Sequence, residues 1–361
     1  MSIHSKQFYD KIHYQIINMI NNNHTINDII NLIKRYFFIN DFLIKIKNDK
    51  TLLQKFISIC GINYELFDKV IQQINIKSKG NYKIKYCNEY KLILIFHLKN
   101  DFTNWKAITK SIFYEPLNNV KKHYKTIQTQ YYRWCYKKIF QDAFYSIVPV
   151  NNNDSNNSDI ANDDFFIINS KKDLFIDATF ISNKYGSEGI VINPELTKKN
   201  CTKINTLSNV DGFIYSVYPS NHNDKTITFN NKSTFIKTPP HDIETVQNTL
   251  NNINPNIKIE KDDINNYYLI GDKGYKTKKQ FNIGDINLIN VTPDKKNQKR
   301  NLINKNQKRK LGYRYIIENA ICGFKNDIRL TSRRDKKMIT FMGWVYISCL
   351  NHNLNVNKRT K

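Results

Sequence analysis

The sequence predicts two structural classes in one chain: an all-helical N-terminal half and an α/β C-terminal half. Three observations carry this division. Up to about residue 147, apolar residues recur mostly three and four apart, the period of a helix. Residues 151–165 are rich in Asn, Asp and Ser, a linker composition. Beyond them, short β-branched and aromatic runs alternate with helical segments, the pattern of a sheet layered with helices.

Composition narrows the partner. The 361 residues carry a formal charge of +25, with 40% hydrophobic and 13% aromatic residues, enough for real cores. So positive a balance points to an anionic partner, and nucleic acid is the common one. No apolar run reaches transmembrane length. The N-terminus Met1-Ser-Ile-His-Ser-Lys6 is followed by polar periodic sequence and does not read as a secretory signal. The six cysteines are far apart and form no CxxC pair, as expected for free thiols in a reducing, intracellular compartment. No His/Cys cluster has zinc-ligand spacing.

Residues 1–80 read as a helical module of unknown role, with Asn-rich turns such as Asn21-Asn-Asn23 between its pieces. Residues 81–150 read as a helical DNA-binding region. Asn88–Lys99 is one helix, carrying Leu92, Leu94, Ile95 and Leu98. Thr103 is placed to cap a second, through Phe113. The third, from Leu117 to about Tyr136, is basic and aromatic, with Lys121, Lys122, Lys125 and Arg133 among Tyr124, Tyr131, Tyr132 and Trp134. Three helices ending in a basic one suit a helix-turn-helix reader, with Arg133 toward DNA. The same aromatics at helical spacing also suit a core. Ile139–Ile147 closes the region.

In the second half, Leu174–Ile181 reads as a buried strand with one carboxylate inside it, Asp177. A charge there is costly unless it is paired or coordinated. Ile204–Val210 and Phe213–Val217 follow, joined by the hairpin signal Asp211-Gly212. Asp242–Ile253 suits a helix. Tyr267–Tyr275 is a second buried strand running into Asp272, and Ile286–Val291 a third. The basic run Pro293–Lys310, with Lys296, Arg300 and Arg309 among its cations, reads as a loop that tracks phosphates. Gly312–Asn326 and a stretch to about Leu354 are helical, and residues 355–361 a disordered basic tail.

Three carboxylates stand out from this background. On a strand, Phe175, Asp177 and Thr179 share one face. On a helix, Arg314, Glu318 and Lys325 fall within roughly 40° of one another and form one edge. Ile317, Ile321 and Phe324 make the buried stripe beside it. Two Asp on neighbouring strands and a Glu on a packed helix would supply the hard oxygens that Mg²⁺ requires. Two such ions about 4 Å apart serve phosphoryl transfer, and Arg314 and Lys325 would hold phosphates. Each acid has a plainer alternative. Glu318 pairs with Arg314 one turn back, and Asp272 suits a turn.

At these motifs the sequence resembles the DDE transposases of bacterial insertion-sequence type, the broad group of insertion-sequence families four and five. Ile176-Asp177-Ala178-Thr179 resembles the family's first motif and Ile270-Gly271-Asp272-Lys273-Gly274-Tyr275 its second. Arg314, Glu318 and Lys325 fit the spacing of the third. Leu311 stands where the family has Tyr. Weaker likenesses are Thr202-Lys203-Ile204, Ser220–Asp224 with Asn223 in the family's His position, and Arg329, Arg333 and Arg334 before Phe341.

The resemblance covers roughly residues 88–352. It implies a ribonuclease-H-like catalytic domain over residues 166–354, a mixed sheet flanked by helices, after the helix-turn-helix-type region. The short interval between Asp272 and Glu318 implies the compact form, without a large β-rich insertion. The implied activity is metal-dependent DNA strand cleavage and strand transfer. Asp177, Asp272 and Glu318 would hold two Mg²⁺, with Mn²⁺ as a substitute. Arg314, Lys325, Lys203, Lys296, Arg300, Arg309 and Arg133 would contact DNA. The partners would be double-stranded DNA, as terminal inverted repeats and target, and further copies of the chain assembled on it. No membrane role follows. The location would be cytoplasmic in a bacterium, or the nucleus or viral replication site otherwise. The alternatives are a decayed or domesticated transposase acting as a DNA-binding regulator, and another ribonuclease-H-like nuclease of resolvase type.

Overall fold

A computed structural model describes residues 3–77, 86–101, 104–114, 123–150, 173–192, 200–220, 227–229, 232–234, 241–257, 259, 267–293 and 305–360. The linker at 151–165 lies outside them. The chain divides into two compact units, Met1–Ala143 and Phe144–Lys361.

The first unit is helical: α1 (Ile3–Asn21), α2 (Ile26–Tyr36), α3 (Ile39–Ile46), α4 (Lys50–Ile59), α5 (Tyr64–Lys77), α6 (Asn88–Asp101), α7 (His123–Tyr136) and α8 (Ile139–Tyr145), whose C-terminal end falls in the second unit. Caps set several starts. Thr25 accepts from the Asp28 N–H at 3.3 Å, and Asp49 from the Leu52 N–H at 3.0 Å. Packing runs across residue 80. The Cys87 N–H donates to Asn40 Oδ1 at 2.7 Å, and Lys77 Nζ donates to the Lys137 carbonyl at 2.9 Å.

The segment expected as a helix from Thr103 to Phe113 is a short 3₁₀ helix instead, Trp105–Lys110. Its cap is Asn104, which accepts from the Ala107 N–H at 2.9 Å. On α7, Ile127, Tyr131, Trp134 and Cys135 are buried, so the aromatics of this basic helix belong to the core, while Lys125 and Arg133 are exposed.

The second unit is a mixed sheet with helices on both faces. Its strands are β1 (Asp173–Asn183), β2 (Val191–Ile192), β3 (Asn200–Ser208), β4 (Ile214–Pro219), a separate β5 (Ile227–Phe229) and β6 (Lys232–Thr234) pair, then, after α9 (Asp242–Asn251), β7 (Tyr267–Ile270), β8 (Phe281–Ile283) and β9 (Ile286–Val291). There follow α10 (Lys305–Gly312), α11 (Tyr315–Lys325), α12 (Ile328–Thr331), β10 (Ser332–Arg333) and α13 (Met338–Arg359). The sheet order is β2-β3-β1-β7-β9-β8, with β4 on β3 and β10 on β1. β7 runs parallel to β1 and to β9, and β3 antiparallel to β1. The β3–β4 hairpin turns at Asp211-Gly212, where Gly212 has φ +78°.

Alternation along β1 and β3 separates the faces. Lys203, opposite Phe180, reaches Asp242 on α9, whereas Thr179 meets Lys325 on α11. α9 and α11 therefore cover opposite faces of the sheet.

Three expectations are corrected here. The end of the basic run is not a loop: residues 305–312 form α10, where Lys310 bonds the buried Asp173 at 2.5 and 2.6 Å and lies over the Tyr268 ring. Residues 355–359 are not a disordered tail. α13 continues because Asn353 bonds both the N–H and carbonyl of Ile214, at 2.8 and 2.9 Å, and Val356 is buried one turn on. Between α11 and α13 the chain is not continuous helix, since β10 adds to β1. Arg333, fully buried there, donates to Thr202 Oγ1 at 3.0 Å and to the carbonyls of Asp335, Glu188 and Lys336 at 3.0, 2.5 and 2.9 Å. Its role is to tie together loop, sheet and helix.

Candidate active site

The site forms where β7 stops and β1 continues. The last pair of their parallel register is Phe175↔Ile270. Asp177 and Asp272 each lie two residues further on, so sequence and register bring them level. Phe175 and Ile176 are fully buried, whereas Asp177 is half-buried and uses one oxygen to accept its neighbour Ala178 N–H at 2.8 Å. Asp272 opens a 3₁₀ turn, Lys273–Tyr275, accepting from the Lys273 N–H at 2.5 Å.

α11 brings the third group. Ile317, Ala320, Ile321 and Phe324 bury one stripe, which leaves the Arg314, Glu318 and Lys325 edge beside the sheet. Lys325 Nζ lies 2.9 Å from Thr179 Oγ1, on the face that Asp177 shares. Arg314 spans two acids, with Nη1 3.6 Å from Asp272 Oδ1 and Nη2 3.2 Å from Glu318 Oε1. The helical Glu318 pairing and the turn role of Asp272, each an alternative to a site role, are thus both present alongside the convergence.

Electrostatics ties Asp177 to the other two acids. Burial first, then the negative charges of Glu318 and Asp272, push its carboxyl up from 3.8 to about 6, against the Ala178 N–H and the Arg314 charge. Tyr275 is a member that sequence reasoning quoted without a role. Its ring is buried and packs against Gly271, where a Cβ would stand 2.9 Å from Tyr275 Cδ2. Its hydroxyl has no hydrogen-bond partner among the described residues. Burial raises its pKa well above the usual value, and Asp242, Asp177 and Asp272 raise it further.

The donor set is the hard-oxygen set a divalent ion requires. Its spacing is not that of an assembled metal centre: among the described residues no group of three His, Cys, Asp or Glu side chains stands where it could hold an ion. The cation between Asp272 and Glu318 is the Arg314 guanidinium.

Of the remaining residues expected on DNA, Lys203 is a correction. It is 4% exposed, ion-paired with Asp242 and lies over the Phe180 ring, so β3 turns it into the protein rather than toward a ligand. Arg309 is half-buried on α10, and Arg133 is exposed on α7 of the first unit. Lys296, Arg300 and residues 221–224 lie outside the described residues. Leu311 ends α10, and the exposed Tyr313 and Tyr315 flank Arg314 with ring centroids 6.4 Å apart.

No protein-family profile and no curated protein sequence matches the chain. Among solved structures, it is similar to a piggyBac transposase synaptic complex with hairpin DNA. That likeness has 10% identity and a TM-score of 0.42, and covers 82% of this chain and 72% of the other. At that score the likeness carries no argument about fold or activity. Among the described residues no helix is long and apolar enough to cross a membrane.

Proposed function

We propose that the chain is a DNA transposase of DDE type, related to the insertion-sequence group that its motifs resemble, which cleaves element ends and transfers the strand. The observation that carries this reading is the convergence of Asp177, Asp272 and Glu318 from two strands and a helix, with two cations of α11 beside them. In a chain of charge +25, such an acidic focus next to basic groups suits a phosphodiester substrate.

Asp177, Asp272 and Glu318 would hold two Mg²⁺. When bound, such ions activate an attacking oxygen and steady the leaving one. The chain's own groups do the rest. Arg314 and Lys325 grip phosphates beside the scissile bond. Thr179 fixes the Lys325 ammonium against β1, so a phosphate meets a positioned charge rather than a mobile one. The helical unit, with Arg133 outward, would bind the terminal repeats, and copies of the chain would assemble on the DNA.

The test is strand cleavage of a duplex carrying the element's terminal repeats. Asp177→Asn and Glu318→Gln should each lower Mg²⁺-dependent cleavage by at least about a hundredfold and leave end binding within a few fold. Cleavage that survives either change overturns the reading. A DNA-binding regulator is the second reading, favoured by Leu311 in the Tyr position and by Arg314 lying between the acids. It predicts end binding by the wild-type chain without cleavage.

A further inference from the structure

We propose that Arg314 is a resident counter-cation that keeps a divalent ion out of the site until a polyanion draws the guanidinium away. The inference rests on the metal-dependent reading above and assigns its regulation.

Arg314 sits at the N-terminal end of α11. A helix presents its partial positive charge there, so a cation is disfavoured at that place unless nearby anions outweigh the dipole. Asp272 and Glu318 are those anions. They hold the guanidinium by one contact each, at 3.6 and 3.2 Å, rather than by the paired short bonds of a bidentate grip. Its Nε is buried and has no acceptor among the described residues. A guanidinium with an orphaned buried donor and two long contacts is held short of its bonding capacity. A phosphate, which accepts two N–H groups at once, offers it more.

The charges point the same way. Three carboxylates interact here, and one monovalent cation neutralises only part of them. Asp177 remains shifted upward by Glu318 and Asp272 despite Arg314. A divalent ion would satisfy the set better, but it must displace the arginine or bind beside a like charge. If Arg314 moves onto a DNA phosphate, one movement both grips the substrate and uncovers Asp272 and Glu318. Metal loading would then follow DNA binding, and nuclease activity off DNA would be suppressed.

The test is Mn²⁺ binding to the full chain, followed by loss of the free-ion electron paramagnetic resonance signal. Wild type, R314Q and D177N are each titrated with and without duplex DNA, and D177N on DNA gives the background from the duplex itself. Without DNA, R314Q should bind Mn²⁺ about tenfold more tightly than wild type, the effect of removing a like charge a few ångströms away. Duplex should raise the wild-type affinity by a similar factor and leave R314Q nearly unchanged. R314Q binding no tighter than wild type, while D177N loses the site, overturns the counter-cation and leaves the metal reading standing. D177N binding as wild type does overturns both. The wild-type arm with DNA needs no variant: an affinity that duplex leaves unchanged overturns the proposal even if R314Q fails to fold.

Discussion

Replacing Asp177 by Asn should stabilise the metal-free protein at neutral pH, although it removes a residue the site requires. The carboxyl is pushed from 3.8 to about 6, chiefly by burial in β1. The folded chain therefore holds this proton more tightly than the unfolded chain does. Stability falls as pH rises from about 4 to about 6, and the penalty is complete above that window. A shift of about two pKa units corresponds to about 3 kcal/mol at most. Asp177 is only half-buried, and solvent reduces the figure to about 2 kcal/mol. Asn is neutral and can still accept from the Ala178 N–H. Urea denaturation at pH 7.5 should show Asp177→Asn more stable by about 2 kcal/mol, with the gain vanishing near pH 4. Added Mg²⁺ should stabilise wild type and not the variant. A variant no more stable than wild type at pH 7.5, or a gain that does not change with pH, would refute the electrostatic account.

Other substitutions probe the frame around the site. Lys203→Met keeps the packing over Phe180 but leaves Asp242 without its partner, and should cost about 2 kcal/mol in urea melts, less than a fully enclosed pair because Asp242 is partly exposed. If the same change weakened DNA binding with stability intact, the buried placement of Lys203 would be wrong. Gly186→Ala places a Cβ 2.6 Å from Arg333 Cζ and 2.7 Å from Asn183 Oδ1, so thermal denaturation should show a loss of about 1–3 kcal/mol. Tyr275→Phe removes a buried hydroxyl that has no partner among the described residues. It should be neutral or stabilising by about 1 kcal/mol, and a loss of more than that would show that the hydroxyl is bonded.

Much of the site was legible because its signals are local. A carboxylate inside an apolar β run is visible in Leu174–Ile181 without a fold, and the 100° step of a helix puts Arg314, Glu318 and Lys325 on one edge. Other features depend on partners distant in sequence. Lys203 carries the same motif signal as an exposed lysine, but Asp242 reaches it from α9. Lys310 looked like one more cation in a basic run until Asp173 was found buried beneath it. The two-residue β10 is too short to show a period, and only pairing with β1 makes it a strand.

The sequence by itself determined the two-class division, the strands and helix that bear the acids, and the face each acid takes. Periodicity and side-chain alternation act within a few residues. Only the tertiary structure decided which cations are structural and which face the site, because that turns on contacts between residues far apart in the chain. It also decided that Arg314 lies between Asp272 and Glu318. A helix period can bring Arg314 and Glu318 together, but the approach of Asp272 depends on β7 ending where β1 continues.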